Sequence, residues 1–172
     1  MDQVTFLNQL KKHVQAQLDS NKQESQPDSN ICYHATILPA PWRDVKYSDL
    51  TAYIQHEKKP AFGELLFWFV DQKELDEVSV YKGARMDRRL FSRIRSAADY
   101  QPSKRTVFSL IIGLQLDEYE AATLLESAGF SFSYSLEMDL ILRFFIKEKI
   151  YNMDLLNQAL MEFDLEPVGC IR

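Results

Sequence analysis

Four arginines crowd one short stretch of the chain: Arg88, Arg89, Arg93 and Arg95 lie within DRRLFSRIR, just after Lys82 and Arg85. A guanidinium is a planar, permanently charged fork of N–H donors, so it can pair bidentately with phosphate oxygens or with the O6 and N7 acceptors of guanine. Several of them on one element make a surface suited to nucleic acid. The apolar positions say which element holds them. Val80, Ala84, Met86, Phe91 and Ile94 have the spacing of two short helices joined by a tight turn near Arg85, with the second helix opening at Asp87 and covering 87–97. That spacing is a helix-turn-helix, with the arginines on its second helix.

The net charge of −5 over 172 residues hides a strong local bias. Between Glu77 and Leu110 the cations Lys82, Arg85, Arg88, Arg89, Arg93, Arg95, Lys104 and Arg105 face only Glu77, Asp87 and Asp99, a surplus of five that leaves the remainder strongly acidic. Because screening confines a charge's influence to about 8–10 Å, the local surplus decides what this surface attracts. The plain alternative is a solvated basic helix face. Its coincidence with the second helix of the pair favours the phosphate-facing reading.

The elements around this unit read as mostly helical. Phe, Tyr and Trp are plentiful, Gly and Pro few, and no region alternates apolar and polar residues as paired strands would. Residues 2–20 form an amphipathic helix pattern with Phe6, Leu7, Leu10, Val14 and Leu18 on one side, short of a true coiled coil because Lys11 interrupts the seam. A homodimer through this helix is one arrangement the pattern permits. Residues 19–30 are a polar linker, and YHATILPAPW (33–42), with two prolines, is an extended arm. The chain thus divides into an N-terminal helix, linker and arm over 1–46 and a helical domain over 47–172.

Within that domain, Ser48 is placed as the N-cap of a helix through His56, and Phe62–Gln72 is a helix apolar enough to be core, its Phe67-Trp68-Phe69 run included. Pro102 and Ser103 start a helix over 104–114. Ser103, Lys104 and Arg105 gather at its N-terminus, where free N–H groups and the helix dipole favour an anion, so they outline a phosphate clamp. Asp117 and Glu120 form a capping box for a helix stopped at Gly129, and two amphipathic helices over about 136–149 and 152–164 complete the body.

Enzymatic patterns are weak. His13, His34 and His56 have no Cys or Ser partner at catalytic spacing, Cys32-x-His34 is half of a metal site without a second half, and Asp117, Glu118 and Glu120 are explained by a helix start. No Gly-rich phosphate loop is present, so no cofactor and no metal is expected. The longest apolar run, Leu65–Val70, is six residues against the roughly 20 of a membrane span, the N-terminus lacks a secretion signal, and Cys32 and Cys170 are unpatterned; a cytoplasmic protein is expected.

The stretch from LLFWFVDQ to LLESAGF resembles the lambda-repressor-like, or XRE-like, helix-turn-helix family of five helices. Residues from about Tyr47 to Gly169 resemble, more narrowly, a bacterial segment often found C-terminal to macro domains, through VYKGARMDRRLFSRIRS, YQPSKRT, LLESAGFSFSYSLEMDLILRFFI and YNMDLLNQALMEFD. No macro domain is visible in the first 46 residues, so an ADP-ribose association is not carried over. The resemblance implies a transcriptional regulator that binds double-stranded DNA through the major groove. It implies base contacts from Arg88, Arg89, Ser92 and Arg93, and phosphate contacts from Lys82, Arg95, Tyr100, Ser103, Lys104 and Arg105. The chain departs from the family at Arg85, where the turn ordinarily holds Gly or Asn, and at Tyr81, where a small residue is usual. A non-enzymatic module that uses the same scaffold to meet a protein partner is the alternative.

Overall fold

A computed structural model describes residues 11, 12, 14–16 and 47–169, and all regular structure among them is α-helical. Eight helices follow in order: α1 Tyr47–Glu57, α2 Phe62–Gln72, α3 Glu77–Gly83, α4 Arg88–Ser96, α5 Lys104–Gly113, α6 Glu118–Ser127, α7 Glu137–Lys147 and α8 Met153–Glu162. Of the helix expected over 2–20, the described residues are helical, with Val14 buried in the main core and Lys11 paired with Glu162 at the end of α8. The polar stretch 19–30, the arm 33–42 and the division at residue 46 lie outside the described residues. Among those that are described, no helix is long and apolar enough to cross a membrane.

One device closes six of these helices. At the ends of α2, α3, α5, α6, α7 and α8 a residue with positive φ is followed by an apolar residue whose N–H reaches back to the helix: Leu75 to Val70 O, Met86 to Tyr81 O, Leu116 to Ile111 O, Phe130 to Leu125 O, Ile150 to Phe145 O and Leu165 to Leu160 O. These are Schellman endings, which satisfy carbonyls that the helix leaves open. Gly129 fills the left-handed position once, as expected; at the others it is Glu74, Arg85, Gln115, Lys149 and Asp164. After three of these endings comes an aspartate that caps the next helix. Asp76 accepts from Ser79 N–H, Asp87 from Arg89 N–H and Asp117 from Glu120 N–H. The repeated unit of left-handed residue, apolar residue and Asp turns the chain sharply, so each short helix starts where the previous one is buried.

Val80, Ala84, Met86, Phe91 and Ile94 are all buried, as their spacing predicts. They join Leu66, Phe108, Leu110, Ile111, Leu124, Leu125, Phe145, Leu156 and Leu160 in one continuous core. α3 crosses α5 at its closest point over two glycines: a Cβ on Gly113 would stand 2.8 Å from both Val80 O and Ala84 N. This contact sets the position of α3, and through the short turn that of α4. Two expectations are corrected. Ser48 is not an N-cap, since α1 begins at Tyr47 and the Ser48 hydroxyl bonds to Asp49 instead. Trp68 is not core: α2 buries Leu66, Phe69 and Val70, and Trp68 falls on the opposite, exposed side.

Candidate nucleic-acid interface

α4 buries Phe91 and Ile94, half-buries Leu90 and exposes its other side chains. At 100° per residue, Arg88, Ser92, Arg89 and Arg93 span an arc of about 140°, so these four side chains share one exposed face. Asp87 caps the helix through a 2.6 Å bond from Arg89 N–H, which fixes the direction in which the face is presented. The turn before it contains Arg85 at φ 47°, a left-handed conformation that favours Gly or Asn. A β-carbon there costs about 1–2 kcal/mol. Arg85 N–H bonds to Lys82 O, and its guanidinium pairs with Asp154 on α8, so the turn is held from both sides. Tyr81 is half-buried and lies beside Phe91, ring centroids 5.9 Å apart, while Phe67 meets the same ring edge-on at 5.3 Å. The larger side chain therefore packs into the α3–α4 contact.

The basic residues divide into two groups. Arg85, Arg95, Lys104 and Arg105 are ion-paired within the chain, to Asp154, Glu77, Asp139 and Glu166. Lys82, Arg88, Arg89 and Arg93 have no carboxylate partner among the described residues; Arg93 lies over the Tyr100 ring, 5.3 Å from its centroid. The predicted base-contact residues are thus brought together with their charge uncompensated. The predicted phosphate clamp is not arranged as expected. Ser103 is the N-cap of α5, its hydroxyl accepting from Thr106 N–H, and so occupies one of the donors an anion would need. Lys104 turns inward to Asp139, 2.5 Å away, which is 1% exposed and also accepts from Ser133 N–H at 2.6 Å. Arg105 reaches Glu166 at the surface, and Arg95 lies over the Phe67 ring while paired with Glu77.

Asp139 and Glu166 carry no local signal for these roles, because their partners lie 35 and 61 residues away in the chain. Of the histidines and cysteines, only His56 is described, and it pairs with its neighbour Glu57. Comparison with known proteins finds no matching family model, no similar curated protein and no similar solved structure.

Proposed function

We propose that the chain is a double-stranded DNA-binding protein of the lambda-repressor-like type, with α2–α6 as its five-helix core and α3 and α4 as its helix-turn-helix, acting as a bacterial transcriptional regulator. The observation that carries this reading is the exposed face of α4, where Arg88, Arg89 and Arg93 stand together without carboxylate partners among the described residues while neighbouring cations are paired. Laid in a major groove, these arginines and Ser92 face base edges, and each bidentate Arg–guanine pair is worth about 1–3 kcal/mol of discrimination. Phosphate contacts fall to Lys82 and the Tyr100 hydroxyl at the borders of that face. Arg95 and Arg105 join them at little cost, since exposed pairs such as theirs contribute about 0–1 kcal/mol and phosphate is an equal exchange for a carboxylate. Lys104 stays with Asp139, because leaving a buried carboxylate unpaired costs several kcal/mol.

The test is selection of bound sequences from a randomised duplex pool with the full chain. Enrichment of a site with guanines in fixed register, which relaxes at one position in each of Arg88→Ala and Arg93→Ala, is the expected result; a pool that shows no enrichment sinks the base-reading role. A second reading, a non-enzymatic module that meets a protein partner, is favoured by the exposed Trp68, which with Leu65, Tyr119 and Thr123 lines an apolar groove between α2 and α6. A stoichiometric protein partner together with no duplex affinity at low salt would select that reading.

A further inference from the structure

Residues 166–169, which follow α8, run back to the turn of the helix-turn-helix and are tied down there by several means. Glu166 pairs with Arg105 on α5. Val168 is 1% exposed, and the Asn157 side chain on α8 bonds it twice, Oδ1 accepting from Val168 N–H at 2.8 Å and Nδ2 donating to Val168 O at 3.0 Å. Gly169 has φ 64° and lies so close to the turn that a Cβ on it would stand 2.4 Å from Ala84 O, 3.2 Å from Ser109 Oγ and 3.3 Å from the Arg85 Cβ. Both the backbone angle and the close approach call for glycine. The helices beside this segment present one face each. On α5 Arg105 and Ser109 are one turn apart, and on α8 Asp154 and Asn157 are three residues apart, spacings that put each pair on one side of its helix. Asp154 pairs with Arg85, so the same face of α8 grips the turn directly and, through Val168, the segment that lies against it. Pro167, Val168 and Gly169 also line a cleft of about 430 Å³ together with Met86, Asp87 and Leu90, the residues that lead into α4. The start of α4 thus borders open space on this side.

We propose that residues 166–169 are a strap that locks the turn of the helix-turn-helix, with Asn157 and Gly169 as its positioning residues. Release of the strap lets the turn and the start of α4 open while the rest of the domain stays folded. Two features of the joint argue for this. Arg85 holds a left-handed conformation that a side chain disfavours, which makes the joint on which α4 turns prone to open. α4 itself is short and buries only Phe91 and Ile94, and an element with few buried contacts belongs to the low-stability end of a structure. The strap supplies what the joint lacks. It also gives α8, which lies beyond the five-helix core, a task in presenting the arginine face.

The test is amide hydrogen exchange of the full chain at low urea concentrations, for wild type and Asn157→Ala, which acts on the turn through Val168 and Gly169. Met86 N–H, bonded to Tyr81 O at 2.8 Å, reports the turn, and Leu116 N–H, bonded to Ile111 O in the same kind of helix ending, is the reference. In Asn157→Ala the Met86 proton is expected to exchange at least about tenfold faster, as the loss of two hydrogen bonds implies, and independently of urea, as a local opening does. The fully buried Leu116 keeps the steep urea dependence of global unfolding. A Met86 rate that does not change overturns the proposal. So does a Met86 rate with the urea dependence of Leu116, because the strap then only adds to overall stability. Should Asn157→Ala fail to fold, Gly169→Ala, whose Cβ displaces the end of the strap, replaces it in the same scheme. The strap's bearing on DNA rests on the proposed reading of α4, and a further arm separates the two. Duplex at about ten times its dissociation constant is expected to slow Met86 exchange in the variant about tenfold, since it binds the closed turn. Duplex that binds yet leaves this rate unchanged overturns the link between strap and reader. A wild type that binds no duplex removes the DNA reading alone, and the exchange pattern without DNA still decides the strap.

Discussion

Replacing Lys104 by methionine separates a structural cation from a phosphate clamp. Lys104 places its ammonium 2.5 Å from a carboxylate oxygen of Asp139, a side chain only 2% exposed, and its own side chain is 23% exposed. The substitution keeps an unbranched side chain but removes the ammonium, which also lies over the Phe108 ring, leaving Asp139 buried with Ser133 N–H as its remaining donor. Removing one partner of such a pair costs about 3–5 kcal/mol. For a chain of this length that lowers the melting temperature by roughly 6–20 °C. The converse change, Asp139→Asn, leaves the cation behind, but Lys104 reaches solvent with part of its side chain, so the loss is smaller, about 2–3 kcal/mol, near or below the low end for a broken buried pair. Thermal and urea unfolding of the two single variants and of the double variant Lys104→Met, Asp139→Asn give both the order and the coupling. The expected result is Lys104→Met least stable and the double variant more stable than Lys104→Met alone. A Lys104→Met protein that melts with the wild type, yet binds duplex more weakly with a shallower salt dependence, would refute this reasoning and restore the clamp.

Three further outcomes follow from the same geometry. Gly113→Ala places a Cβ 2.8 Å from backbone atoms of α3, a strain of about 1–3 kcal/mol only partly offset by better helix propensity, so urea unfolding should show a net loss. Gly83→Ala, across the same crossing, meets nothing closer than 3.5 Å and should be neutral or stabilising by up to about 1 kcal/mol. Burial, with Asp117 and Glu120 nearby, pushes the Tyr151 phenol above its usual value of 10, and the phenol donates to Leu116 O. The unfolded chain therefore loses this proton first as pH rises, so the contribution is complete below pH 10 and declines above it; Tyr151→Phe should flatten that alkaline decline and cost about 0.5–1.5 kcal/mol at neutral pH.

Much of the helical framework was legible because it is written locally. Asp87, Ser103 and Asp117 are caps with short polar side chains placed before apolar periodicity, and Gly129 is the one stop residue of the usual type. The other left-handed residues were harder to read, since Glu74, Gln115, Lys149 and Asp164 are ordinary surface types; only the following apolar residue and, at two of them, an aspartate soon after give them away. Arg85 was read as a turn from its neighbours. Periodicity placed the arginines on α4, and the family resemblance picked out Arg88, Arg89, Ser92 and Arg93 on it. What periodicity does not contain is pairing across the chain: nothing near Lys104 or Arg105 reveals Asp139 or Glu166. Trp68 was misread for a related reason, since an apolar run on a short helix does not say which of its faces lacks a neighbour.

The central claim is that the exposed arginines of α4 bind duplex DNA, and fluorescence anisotropy of the full chain on a labelled random-sequence duplex, titrated across salt concentrations, tests it most directly. The account predicts measurable binding at low salt, with log K falling linearly in log salt by about 0.9 for each phosphate neutralised. It predicts that the Arg88→Ala, Arg89→Ala, Arg93→Ala triple variant loses that affinity while keeping its helical content and melting temperature. Equal binding by wild type and triple variant, or no binding by the wild type at low salt, would contradict it.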